Sequence, residues 1–135
     1  MTWEEEVNAM TDDELRIKAA ELMGWTECYV DRGEPFGVVP ELYTGYPYSE
    51  ILPDYPNDID AAWTLWERLD EEGMYVMLRS GSVCPNGDYK RETTALIWRD
   101  GLDSIDVVDS EIAVKSAPRA ITRAFIMAME STNAN

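Results

Sequence analysis

Residues Pro56 to Arg79, PNDIDAAWTLWERLDEEGMYVMLR, read as one helix-turn-strand unit, and the rest of the chain can be ordered around it. Asn57 is the expected N-cap, since its side-chain oxygen can accept from an orphan N–H of the first turn. Asp58 and Asp60 follow where the helix dipole favours negative charge. Ile59, Ala62, Trp63, Trp66 and Leu69 recur at helical spacing as one broad apolar stripe, with Glu67, Arg68, Asp70 and Glu71 largely on the other side. Gly73 ends the helix. In the strand that follows, Met74, Val76 and Leu78 alternate with Tyr75 and Met77, so both faces are apolar and both ask for cover. That predicts an α+β fold, a three-layer α/β/α sandwich with a small, mainly antiparallel sheet.

Upstream, Thr11-Asp12-Asp13-Glu14 is a capping box that opens an earlier helix. Leu15, Ala19, Leu22 and Met23 form its inward stripe. Gly24 suits the left-handed position after the last turn, and Trp25 can fold back on it. Trp25 to Val30 reads as a strand, broken by Asp31-Arg32-Gly33-Glu34-Pro35. From Phe36 to Pro56 come four prolines, four tyrosines and two glycines with no sustained period, which predicts one long loop. Residues 1–10 read as an N-terminal extension, 11–130 as a single domain and 131–135 as a flexible tail.

Downstream, Asn86-Gly87 within Val83–Asp88 predicts a hairpin whose outgoing arm is Tyr89 to Arg99. Leu102 to Asp109 is acidic and partly apolar, and Glu111 to Lys115 suggests a short strand. Ser116-Ala117-Pro118 then starts the last helix, proline being tolerated best in a first turn. Its inward face is Ala117, Ile121, Ala124, Phe125 and Ala128.

At 135 residues the chain has one domain's length, and 45% hydrophobic residues suffice for a core. Eleven Lys and Arg against 27 Asp and Glu give a formal charge of −16, which disfavours nucleic-acid phosphates and anionic membranes as partners. Solubility alone accounts for such a charge, and a basic protein partner or mimicry of DNA fits it too. Cys28 and Cys84 are too few for a disulfide scaffold or a four-thiolate zinc site, and are expected to be reduced. Met1–Glu6 lacks the basic start and apolar run of a secretion signal, and no stretch has the apolar length of a membrane span. A cytosolic location is expected.

The early helix ending in Met23-Gly24-Trp25, the proline- and tyrosine-rich middle, Asp58-Ile59-Asp60-Ala61-Ala62-Trp63 with Leu69 and Gly73, and Ser116-Ala117-Pro118-Arg119-Ala120-Ile121 together resemble the phage ABA sandwich domain family over residues 11 to 130. The resemblance implies a three-layer α/β/α fold in a small phage or prophage protein. It brings no catalytic motif, and a fold alone assigns no function.

Histidine is absent, which excludes Ser-His and Cys-His catalysis. No glycine-rich phosphate loop occurs. Asp100, Asp103, Asp106 and Asp109 recur at threes, a spacing that fails the calcium-loop pattern and reads as a solvated acidic loop. No catalytic residue, metal site or cofactor is expected. The cations are scarce and unevenly placed: Arg79 ends one strand, Lys90 and Arg91 begin the next, and Lys115 and Arg119 bracket a helix start at Ser116. Gathered together they would hold phosphate, with Tyr43, Tyr46 and Tyr48 stacking on a base. The plain alternative pairs each cation with a nearby acid. The sequence therefore points to a non-enzymatic phage accessory protein of the host cytosol that sequesters a small anionic nucleotide. An acidic inhibitor or DNA mimic aimed at a basic host protein, and a virion assembly protein, are the competing readings. Exposed sheet edges and apolar aromatics predict a homo-oligomer.

Overall fold

The capping box and both glycine stops read in the sequence close helix ends in the computed structural model, which describes residues 3–40, 49–83, 90–98, 105–109 and 113–133, and side chains within 5–40, 49–79, 93–98 and 117–130. Helix α1 (Trp3–Ala9) leads into α2 (Asp12–Leu22), then β1 (Thr26–Asp31), β2 (Glu34–Val38) and β3 (Ser49–Ile51). The second half runs α3 (Ile59–Glu71), β4 (Tyr75–Val83), β5 (Lys90–Trp98), β6 (Ile105–Asp109) and α4 (Ala113–Asn133). The fold is α+β, a small sandwich of helices and antiparallel sheet. The strands divide into two three-stranded sheets, β1-β2-β3 and β4-β5-β6, where one was expected.

The Thr11 hydroxyl accepts from the Glu14 N–H and the Glu14 carboxylate from the Thr11 N–H, both at 3.2 Å. Both α2 and α3 end in the same left-handed motif. Gly24 (φ 104°) donates to Glu21 and Trp25 to Ala20, while Gly73 (φ 80°) donates to Asp70 and Met74 to Leu69. The N-cap of α3 is Asp58, whose side chain accepts from the Asp60 N–H at 3.0 Å. Asn57 instead donates to the Asp54 carboxylate at 3.1 Å, so the cap lies one residue later than expected. The stripe of α3 also turns. Ala62, Leu65 and Leu69 are buried and Trp66 partly so, whereas Ile59 and Trp63 are exposed. At 3.6 residues per turn, Trp63 lies about 100° round from Ala62, beyond the edge of the buried stripe.

The stretch expected as one loop holds β2 and β3. Arg32 (φ 52°) and Gly33 (φ 79°) are both left-handed, the requirement of a two-residue type I′ hairpin between Asp31 and Glu34. Pro35 then pairs with Val30 and accepts from the Leu52 N–H through its carbonyl, but cannot return a bond to Leu52. Arg16 from α2 takes that place: its Nε donates to the Leu52 carbonyl at 3.1 Å and to Pro53 at 3.3 Å. One extra residue in β1 between Thr26 and Tyr29, with Glu27 at φ 50°, makes a bulge. Residues 41–48 lie outside those described.

Three further expectations shift. Residues 3–9 of the N-terminal extension form α1, and its Val7 is fully buried in the core. The acidic stretch 102–109 contains β6, with Asp106 opposite Leu96 and Asp109 opposite Thr93. Helix α4 begins at Ala113, so Pro118 sits inside it and Ala113–Lys115 is helical, not extended. The surrounding core over-rides the proline's lost bond. Ala120, Ile121, Ala124, Phe125, Ile126 and Ala128 are all buried, a helix enclosed nearly all round. It meets α1, α2 and α3 on one side and β4, β5 and β6 on the other, while α2 also touches β1 and β2. The helices thus join the two sheets around one core.

In the second sheet Thr93, Ala95 and Ile97 face α4 and are buried. By register Val76 and Leu78 share that face, opposite Ile97 and Ala95. The other face carries Tyr75, Met77 and Arg79 opposite Trp98, Leu96 and Thr94, and Tyr75 and Met77 are 54% and 40% exposed. Helical cover therefore reaches one face of this sheet among the described residues.

Candidate protein-binding face

The predicted phosphate-binding cations are not brought together where their side chains are described. Arg79 is exposed on the outer face of the second sheet, opposite Thr94. Arg119 lies on α4, on the far side of that sheet, with its Nε 3.4 Å from the Asp12 carboxylate at the start of α2. Lys90 pairs with Val83 and Arg91 with Ser82 in the β4–β5 ladder, and Lys115 and Ser116 lie in the opening of α4. The side chains of those four lie outside the described residues, as do Tyr43, Tyr46 and Tyr48, the hairpin connection 84–89, and Asp100 and Asp103. Three other described cations are engaged with acids: Arg16 with Glu34 at 3.6 Å, Lys18 with Glu130 at 2.6 Å and Arg68 with Glu72 at 3.1 Å.

The surface that stands out is α3. Trp63 is 41% exposed, a large apolar ring left in water. It is braced edge-on against Trp66, with ring centroids 4.9 Å apart and planes at 65°, and Trp66 itself packs on the core. Such edge-to-face geometry holds the outer ring in place at little entropic cost on binding. Asp60, Glu67, Asp70 and Glu71 are exposed on the same side of the helix as Trp63 by helical spacing. None of these four has an ion-pair partner among the described residues.

On another side of α3 is a depression of about 750 Å³ at the C-terminal end of α2, bounded by Glu21, Glu27 and Val38 and by Arg68 from α3. It continues past Met23 and Val39 into a second of about 340 Å³, lined by Trp25, Tyr55, Glu50 and Thr64. Helix α2 has no basic residue in its last turn, so its carbonyl end adds negative potential there. Arg68, the cation at this edge, is held by Glu72. The Trp63 side of α3 carries four exposed carboxylates and the groove is edged by Glu21, Glu27 and Glu50, so each suits cationic better than phosphate chemistry. Among the described residues no group of three or more acids or cysteines is placed to hold a metal ion, and no helix is long and apolar enough to cross a membrane.

Comparison with known protein families, with curated proteins and with solved structures finds no match to this chain. Trp63, with Ile59, is a residue that sequence reasoning assigned to the wrong side. The signal was present in the helical angle: a stripe centred on Ala62, Leu65 and Leu69 excludes it, whereas a stripe drawn to include both tryptophans does not.

Proposed function

We propose that this is a non-catalytic binding protein that receives a basic protein partner on α3, with Trp63 as the anchor and the surrounding carboxylates as the rim. The observation that carries the reading is an exposed, braced tryptophan set among unpaired acids. Tryptophan is enriched among the few residues that dominate binding energy. The acids would steer a positively charged partner to it and reject acidic competitors. The setting proposed is the cytosol and, on the resemblance to phage proteins, that of an infected host.

Nucleotide sequestration has less support. Of its cations, Arg79 and Arg119 have described side chains, and these stand on opposite faces of the sheet with Arg119 held by Asp12.

Titration of the tryptophan fluorescence with an arginine-rich peptide and with protamine tests the proposal. Binding is expected to weaken steeply as salt rises, and Trp63→Ala to lower affinity by about 30-fold or more, the scale of a hot-spot residue at about 2 kcal/mol or more. Affinity indifferent both to salt and to Trp63→Ala would overturn it.

A further inference from the structure

Each sheet has two edges, and three of the four are protected. Strand β1 carries the bulge at Glu27 and ends in Asp31. β3 is three residues long and contains Glu50, and β6 contains Asp106 and Asp109. Bulges, shortness and charge are the devices that keep sheet edges from pairing with other chains. β4 has none of them. It is a nine-residue edge strand with a regular register throughout and no proline. In a chain where 27 of 135 residues are acidic, the run from Met74 to Gly87 has no Asp or Glu at all, and its one charge is Arg79.

We propose that two copies of this chain pair through β4, antiparallel, about a two-fold axis at Met77. A net charge of −16 opposes association almost anywhere on the surface, and β4 is the edge where it does not. The strand is also complementary to itself. With Met77 on the axis, Tyr75 stands opposite the partner's Arg79 and Arg79 opposite the partner's Tyr75, a cation–aromatic pair made twice. Val76 meets the partner's Leu78 on the side facing α4. An axis at Arg79 would instead set guanidinium against guanidinium. The product is one six-stranded sheet, in which the exposed Tyr75 and Met77, flanked by Leu96 and Trp98, become one apolar face shared by both copies.

Sedimentation over a concentration series tests this with the full chain. The expected species is a dimer, twice the 15.4 kDa chain. Met77→Glu, which puts two carboxylates on the axis, is expected to raise the dissociation constant by about 30-fold or more, the scale of like charges juxtaposed across an interface. Arg79→Glu, at an equally exposed position, is expected to weaken the dimer too. Ile51→Glu, on the exposed β3 edge, should leave it intact. A chain that stays monomeric at roughly 100 µM, well above the dissociation constant of a specific dimer, overturns the proposal. So does a dimer that survives both β4 variants or is broken by Ile51→Glu. A monomer that instead captures another protein along β4 overturns the choice of occupant.

Discussion

At Gly37 there is no room for a side chain: a Cβ there would lie 2.9 Å from Leu52 Cδ2 and 3.1 Å from Cys28 Sγ. Gly37→Ala is expected to destabilise by about 1–3 kcal/mol through overpacking, read as a lower urea midpoint. Gly73 offers a contrast. Nothing lies within 4 Å of its Cβ position, so Gly73→Ala costs only the left-handed backbone at φ 80°, about 1–2 kcal/mol. Of the two, only Gly73 was legible in the sequence, because a helix stop is a local pattern and a crossing of β2 over Leu52 is not. Cys28 shows a second effect of the same packing. Burial, and then the nearby Glu21, push its thiol above the ordinary value of 9.0. The folded chain keeps a proton that the unfolded chain releases, so this contribution to stability is complete below the free thiol's range and is lost as pH rises from there through the raised range of the folded thiol. Alkylation of Cys28, followed by peptide mapping, is expected to be slower than in the urea-unfolded chain, and equal rates would contradict the burial.

At the scale of elements, the caps make the sharpest prediction. Asp58→Ala removes the acceptor of the Asp60 N–H and is expected to cost about 1 kcal/mol. Asn57→Ala loses only an exposed contact to Asp54 and should cost a few tenths by the same measure. Equal denaturation midpoints for the two variants would return the cap to Asn57. Arg16→Met tests the link between α2 and the end of β3: it leaves the Leu52 carbonyl without its guanidinium donor, at an expected cost of about 1–3 kcal/mol. Helices α2 and α3 and strands β1, β4 and β5 were legible because each carries its own period and its own stop. β2, β3 and β6 were not. β2 contains Pro35 and Gly37, β3 is three residues long, and β6 is acid-rich, so each becomes a strand only through the neighbour that pairs with it.

For the whole molecule, α4 is the element on which the others meet. Phe125, fully buried at its middle, is expected to cost about 3–5 kcal/mol when replaced by alanine, enough to unfold a marginally stable domain in a thermal melt. Charge acts at the same scale. With −16 on 135 residues and most described acids unpaired, self-repulsion opposes the compact state, so added sodium chloride is expected to raise the melting temperature. A melting temperature that falls between low and physiological salt would mean that the four described ion pairs outweigh the repulsion.

What the sequence determined by itself was composition and everything set within a turn or two of chain: the net charge of −16, the two left-handed helix stops, the capping box and the α+β class. Tertiary structure alone decided which side of α3 faces water, that Arg79 and Arg119 stand on opposite sides of a sheet, and that β4 is an edge strand with no described strand beyond it. Periodicity reports that a side chain is apolar, but burial depends on what else arrives to cover it. For Trp63, Tyr75 and Met77 no described element did.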